Sequence, residues 1–175
     1  MTRLESIIVY LVYRTKQKGK HNLAKFELFK LLYLLEVEAR KFAGRSFLDS
    51  VYFVRDTNGP ISVDVYNALQ HLNGTYLTLR AVKKPDYPYP RHCIELKKNV
   101  KDFHLSASEK LFINSVVESY ANLSIKKLKE VVYNTEPMQV IQREEKQRKV
   151  ALLKGHPINF NVISLDSDLV DLVSS

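Results

Sequence analysis

The segment Leu28-Phe29-Lys30-Leu31-Leu32-Tyr33-Leu34-Leu35 places apolar side chains on nearly every side of a helix. Such a helix has to be covered by other elements on several sides, so we expect it at the centre of the core. The pattern around it predicts one long helix over residues 23–43. Asn22 is the predicted N-cap, and Gly44 is placed to adopt the left-handed conformation that ends many helices.

The chain on either side of this helix predicts a further helix and a short extended segment. From Leu4 to Lys18 apolar residues recur with helical spacing, although the run over 7–13 is also rich in strand-forming residues. Residues 50–55 are predicted to be extended and to end in a turn. Pro60 then opens a predicted helix that reaches Asn73-Gly74, because a proline in the first turn loses no hydrogen bond.

A period of two replaces the helical period over residues 76–82 and 91–97, which predicts two strands joined by a proline-rich connection. Helices resume at Ser106, which forms a predicted capping box with Glu109. The first of these helices covers 107–120, and its expected inward side chains are Leu111, Phe112, Val116, Val117 and Tyr120. Ser124 is predicted to cap a helix over 125–133, and Pro137 to begin a last helix that reaches about Leu153. The sum is a mainly α (α+β) multi-helix domain with one small, winged-helix-like β-hairpin over 76–97.

The length and charge of the chain fit one basic domain with an acidic end. The 175 residues carry 27 Lys and Arg against 19 Asp and Glu, a net charge of +8 that favours an acidic partner. Residues 156–175 contain three Asp and no Lys or Arg. We therefore expect a helical domain over 1–155 and an acidic tail over 156–175. The tail either folds back on the body, docks elsewhere as a short amphipathic helix, or is frayed.

The cysteine content and the apolar runs predict the compartment. Cys93 is the only cysteine, so the chain cannot form an internal disulfide. The longest apolar run, Ile7 to Tyr13, is far shorter than the roughly 20 residues of a membrane span, and the residues before it do not resemble a signal peptide. These features predict a soluble cytoplasmic protein with no membrane partner.

Motifs that carry chemistry are not found in the sequence. The five histidines have no spacing that lets two share a metal ion from one helix face, and His92 and Cys93 point to opposite faces of a predicted strand. Phosphate-binding glycine loops and nucleophile elbows are likewise missing, so Cys93 is interpreted as a core thiol. We expect no catalytic residue, no metal and no cofactor, although an enzyme is not excluded.

The connection between the two strands combines cations with aromatic side chains. Lys83 and Lys84 precede Tyr87 and Tyr89, and Arg91 begins the second strand. Cations bind phosphates and tyrosines stack on exposed bases, which would suit DNA or RNA. The same tyrosines and prolines also suit a protein-binding edge, or a solvated loop whose tyrosines pack back on the body.

The order of several short motifs resembles the Panacea domain of SocA-like, phage-associated antitoxins. The motifs are Lys30-Leu31-Leu32-Tyr33, Gly59-Pro60-Ile61 followed by Val65-Tyr66, Leu105-Ser106 with Glu109-Lys110, and Leu123-Ser124 with Leu128. The resemblance covers about residues 5–150. It implies a mostly helical, non-catalytic domain that neutralises a toxin by direct binding or by delivering it to a protease or its unfoldase.

Physically, most of the matched residues read as scaffold. Leu31, Leu32 and Tyr33 are expected in the core, Gly59 at a positive φ, and Tyr66 either in the core or at an interface. The leading hypothesis is an antitoxin that binds a cognate toxin, and the alternative is a winged-helix-like regulator that binds DNA or RNA. The candidate partner-binding residues are Arg55, Asp56, Tyr66, Lys83, Lys84, Tyr87, Tyr89 and Arg91.

Overall fold

The predicted central helix lies at the centre of the core. The computed structural model describes residues 1–166, and in it helix α2 spans Lys25–Ala43. Six of its side chains are at most 1% exposed, namely Leu28, Leu31, Leu32, Tyr33, Leu34 and Leu35. Helices α4 (Ala107–Tyr120) and α5 (Ile125–Tyr133) pack against α2, while α1 (Arg3–Gln17) packs on α4. The mainly α prediction is confirmed, and the ambiguous run over 7–13 belongs to a helix.

The start of α2 differs from the prediction. Asn22 does not cap the helix, because Leu23–Ala24 form a short strand, β1, and α2 begins only at Lys25. The carboxylate of Glu27 accepts a hydrogen bond from the amide of Ala24 at 2.8 Å and so satisfies one of the donors at the helix start. At the other end Gly44 adopts the predicted left-handed conformation, with φ of 64°.

The two predicted strands are confirmed as an antiparallel hairpin. Strand β4 (Leu77–Val82) pairs with β5 (Arg91–Leu96), and β1 pairs with the other side of β5 to give the order β1-β5-β4. Helix α3 (Val63–Leu72) leads directly into β4. We call the β4–β5 hairpin and its connecting loop the wing. Helices followed by such a wing give the winged-helix-like outline that the sequence predicts.

Pro60 does not begin a helix. It lies in strand β3 (Gly59–Ile61), which pairs with β2 (Val54–Asp56) through a two-residue turn, and α3 begins later with Ser62 as its N-cap. Pro60 lies opposite Arg55, whose own backbone groups bond residues 155 and 156 on the other side of β2. The missing amide hydrogen of Pro60 therefore costs no ladder bond, the arrangement in which sheets tolerate proline.

Residues 155–158 extend along the outer edge of β2. The amide of Arg55 donates to the carbonyl of His156 at 2.9 Å, and the amide of Ile158 donates to the carbonyl of Phe53 at 3.0 Å. Beyond this segment the ring of Phe160 lies 5.5 Å from the ring of Tyr33. The first part of the predicted acidic tail therefore packs on the helical body. Its remaining acidic and apolar positions, 167–175, lie outside the described residues.

Replacing Ile158 with alanine is expected to lower the free energy of unfolding by about 2–4 kcal/mol, because this side chain is 7% exposed and its loss leaves a cavity. Urea denaturation of both proteins measures the difference. Lys154→Ala is the control, since its side chain is 72% exposed and its loss should cost less than about 0.5 kcal/mol. Equal stability of the two variants would show that this segment does not contribute to the core.

Two details of the C-terminal half also differ from the prediction. Helix α6 spans Glu136–Gln147 and does not reach Leu153, because Lys149 adopts a positive φ of 55° and the chain turns back. The amide of Leu153 then donates to the carboxylate of Glu145. Leu111 does not point inward; it is 69% exposed on α4.

No helix within residues 1–166 combines the length and the apolar character needed to cross a membrane. In the same range, no three His, Cys, Asp or Glu side chains are grouped so that they could hold a metal ion. Cys93 is 3% exposed, which confirms the interpretation as a core thiol.

Candidate partner-binding surface

A buried lysine joins α2 to the β2–β3 hairpin. The side chain of Lys30 is 3% exposed, and its Nζ donates a 2.7 Å hydrogen bond to the carbonyl of Asn58 in the hairpin turn. Burial and, to a smaller extent, repulsion from Lys129 lower the pKa of Lys30 from 10.5 to about 8, against an opposing effect of the Glu27 charge. Lys30, the first residue of the Lys30-Leu31-Leu32-Tyr33 motif, therefore stabilises the hairpin turn against α2. Its side chain offers little surface to a partner.

The backbone conformation at position 59 requires glycine. Its φ of 109° is one that side-chain-bearing residues rarely adopt, and it follows directly on the turn that Lys30 holds. A Cβ at this position would meet Tyr133 only at ordinary contact distance, 3.6 Å. The positive φ predicted for Gly59 is confirmed, and this φ rather than crowding excludes other residues.

Arg55 forms a buried charged network beneath the hairpin. Its guanidinium donates to Glu145 at 2.9 Å, to the hydroxyl of Tyr133 at 2.7 Å and to the carbonyl of Asp56 at 2.7 Å. Burial alone would lower the pKa of Arg55, but the hydrogen bonds and charges of Glu145 and Tyr133 raise it above its ordinary value. Arg55 is 6% exposed, so its side chain stabilises the hairpin and is not free to contact a partner.

Tyr66 is half-buried at the surface of α3. Its ring lies 4.7 Å from that of Phe29, and the Nζ of Lys25 lies 4.9 Å from the centre of the Tyr66 ring. Burial raises the pKa of the Tyr66 hydroxyl, and the negative charge of Asp56 adds to this shift. Tyr66 therefore covers the first turn of α2, and the charge of Asp56 in β2 acts on its hydroxyl.

Arg91 connects this surface to the wing. Its Nη2 lies 2.9 Å from the buried carboxylate of Glu27, and its Cζ lies 5.9 Å from the ring centre of Phe26. We call Lys25, Phe26, Tyr66 and Arg91 the aromatic-basic face, because each of the two rings carries a cation within cation–π distance.

The wing loop, residues 83–90, adjoins the aromatic-basic face at Arg91, the first residue of β5. All eight of its residues are exposed, and Tyr87 and Tyr89 are 69% and 80% exposed. Lys83, the tyrosines and the prolines line an open cavity of about 430 Å³. The two tyrosines therefore do not pack back on the body, and the alternative that predicted such packing is wrong.

The structure thus separates the candidate residues by environment. Tyr66 and Arg91 contact the first turns of α2, whereas Asp56 lies in β2 and pairs with Lys154 at 3.8 Å. Lys83, Lys84, Tyr87 and Tyr89 are exposed in the wing loop, which adjoins Arg91. Lys25 and Phe26 were missed by sequence reasoning. Their signal was present as the half-buried positions at the start of an otherwise buried helix, but only α3 and β5 show what they face.

Comparison with known families identifies the domain. The model of the Panacea domain of SocA-like antitoxins matches residues 28–137. The chain belongs to the SocA-like antitoxin Panacea domain family. A search of curated proteins finds no match to the chain.

The match to the Panacea domain is narrower than the sequence resemblance over about residues 5–150. It begins within α2 and ends at Pro137, so α1 lies outside it, as do Glu145 and residues 153–158 that hold the β2–β3 hairpin. Its motif residues Leu31, Leu32 and Tyr33 are fully buried. The motifs of the Panacea domain are therefore mostly scaffold in this protein.

Proposed function

We propose that the protein is an antitoxin that neutralises a cognate toxin by binding it directly through the wing loop and the aromatic-basic face. Membership of an antitoxin family supports a toxin–antitoxin role and a non-catalytic one. The observation that carries the proposal is the pair of exposed tyrosines, Tyr87 and Tyr89, at the end of the wing.

The chemistry of the loop suits a protein partner. Tyrosine is enriched at interfaces because it buries a large area with few rotatable bonds, and it retains a hydroxyl for hydrogen bonding. Pro85, Pro88 and Pro90 restrict the backbone on both sides of the tyrosines. A restricted loop loses less conformational entropy on binding, which favours affinity.

Charge indicates an acidic partner surface. Residues 76–98 carry six Lys and Arg but only two acidic residues, and Lys83 and Lys84 are exposed at the end of the wing. Helix α3, which precedes the wing, contains no Lys or Arg. A helix that reads DNA ordinarily presents such cations, so a protein partner fits better than DNA or RNA.

Binding of the toxin is a step that both modes of neutralisation implied by the family share. In the first mode the antitoxin occludes the toxin, and in the second it delivers the toxin to a protease or its unfoldase. The proposed surface serves both, and delivery needs a second contact elsewhere. Loss of the toxin in cells only when a protease is present would indicate the second mode.

The double variant Tyr87→Ala/Tyr89→Ala is expected to weaken toxin binding by about 100-fold, since two interface tyrosines each contribute on the order of 1–2 kcal/mol. The toxin candidate is the product of the adjacent gene, co-expressed and purified with this protein. Affinity is measured by calorimetry on nuclease-treated samples, and neutralisation by growth of cells that express both proteins.

Tyr52→Ala is the matched control, because Tyr52 is 76% exposed but lies outside the wing loop and the aromatic-basic face. It should bind and neutralise as the wild type does. The proposal is overturned if wild-type protein forms no complex with the adjacent gene product and rescues no growth defect. Binding that disappears on nuclease treatment and falls steeply with salt would support the nucleic-acid alternative instead.

A further inference from the structure

The outer edge of strand β4 is closed over its first half only. The carbonyl of Leu77 accepts a 2.8 Å hydrogen bond from the amide of Gly74, and the amide of Leu79 donates to the side chain of Asn73 at 3.1 Å. Both contacts come from the turn that joins α3 to β4. They show that the odd-numbered residues of β4 direct their backbone groups away from β5.

The second half of this edge is open. With the same alternation, the carbonyl of Leu79, both backbone groups of Ala81 and the amide of Lys83 point outward. Among residues 1–166 these groups have no hydrogen-bond partner, and residues 80–84 are exposed. Four consecutive outward groups are enough to pair with a short extended segment of another chain.

We propose that an extended, acidic segment of the protein partner adds to β4 as a further strand, pairing with Leu79, Ala81 and Lys83. This inference rests on the proposed function, since it names how the toxin is held. Strand addition obtains its affinity from main-chain hydrogen bonds and its selectivity from neighbouring side chains.

The positive charge beside the open edge of β4 indicates which kind of segment it binds. Lys83 ends the open edge and Lys84 follows it, so acidic side chains in the incoming strand would meet cations. A second copy of this chain would add its own Arg80, Lys83 and Lys84 to the same short edge, and repulsion among these cations opposes self-association. The edge therefore favours an acidic partner over self-association.

The closed half of the edge fixes where the added strand can begin. Because Gly74 bonds the carbonyl of Leu77 and Asn73 bonds the amide of Leu79, an incoming strand cannot pair with the amide of Leu79 or with any group before it. If the incoming strand shifted by two residues toward α3, it would face the carbonyl of Leu77 and the amide of Leu79, which already have partners, and would lose hydrogen bonds to β4. The bound strand therefore has a defined register that ends beside the wing loop.

The variant Ala81→Pro tests the proposal, because it removes one outward amide and leaves the inward groups of Arg80 and Val82 paired with β5. Its affinity for the adjacent gene product is expected to fall by about 10-fold or more. Ala81→Val is the matched control, since it keeps the amide and favours strand structure. It should bind as the wild type does.

Amide exchange in the wild-type protein provides a second measurement that needs no variant to fold. On adding the adjacent gene product, the amides of Ala81 and Lys83 should become protected by at least about tenfold, while those of Arg80 and Val82, already bonded to β5, should change little.

The outcomes separate the two proposals. A complex that forms with wild-type protein but leaves Ala81 and Lys83 unprotected, and that Ala81→Pro does not weaken, overturns strand addition and leaves toxin binding standing. If wild-type protein forms no complex at all, the proposed function fails and strand addition fails with it.

Discussion

Replacing Glu145 with alanine is expected to lower the free energy of unfolding by about 3–5 kcal/mol, the usual effect of removing one partner of a buried ion pair. Arg55 would keep its guanidinium at 6% exposure without a carboxylate to accept from it. The amide of Leu153 would lose its acceptor as well. Urea denaturation at pH 7 measures the change.

Glu144→Ala is the matched control for this prediction. The neighbouring carboxylate pairs with Arg148, whose side chain is 58% exposed, and a surface pair of this kind contributes up to about 1 kcal/mol. The double variant Arg55→Met/Glu145→Leu should be more stable than Glu145→Ala alone, because it leaves no unpaired charge. Equal effects of Glu144→Ala and Glu145→Ala would contradict a stabilising buried pair.

The same pair makes stability depend on acid pH. Burial alone would raise the pKa of Glu145, but hydrogen bonds from Arg55 and Leu153 lower it below its ordinary 4.5. A carboxylate with a lowered folded-state pKa stabilises the fold above its unfolded pKa, and this contribution is lost as the pH falls through the folded pKa. Wild-type protein should therefore lose stability below about pH 4.5 more steeply than Glu145→Ala does.

Lys30 is expected to produce a dependence of the same sign in the alkaline range. Its folded-state pKa is about 8 against 10.5 in the unfolded chain, so between these values the unfolded state binds more protons than the folded state. Stability contributed at this site therefore rises with pH across that window. Compared with Lys30→Met, wild-type protein should gain about 3 kcal/mol between pH 7 and pH 10.5.

Thermal or urea unfolding of both proteins at several pH values measures this difference. Lys129→Met is the companion variant, because removing this cation should raise the pKa of Lys30 toward 10.5 and so make the gain smaller. A constant difference between wild type and Lys30→Met at all pH values would show that Lys30 titrates normally.

The helices of the core could be predicted from sequence because their signals are local. Leu31, Leu32 and Tyr33 belong to a segment that is apolar on every side, and only burial on every side satisfies it. Ser106 with Glu109 and Gly44 mark helix ends through contacts within one turn. The wing was predictable for the same reason, since a change of period needs only neighbouring residues.

The errors at Pro60 and Asn22 occur where pairing with another segment competes with a local signal. Pro60 fits a helix start, but its pairing with β2 holds it in a strand. Asn22 is a good capping residue, yet Leu23 and Ala24 pair with Ile94 and Cys93 of β5, far along the chain. The helix that was expected to reach Leu153 ends at Gln147, because Lys149 turns the chain back and the amide of Leu153 then bonds Glu145.

The sequence by itself determined the central helix, the wing, the basic charge and the family. Periodicity, composition and motif order can all be recognised from the order of the residues, without knowledge of tertiary contacts. The tertiary structure alone decided which candidate residues are accessible. Arg55 and Tyr89 look equally able to bind a partner in the sequence, but Arg55 is buried against Glu145 whereas Tyr89 is 80% exposed. Burial depends on which segments fold over a side chain, and here the covering residues come from positions 133–158, far along the chain.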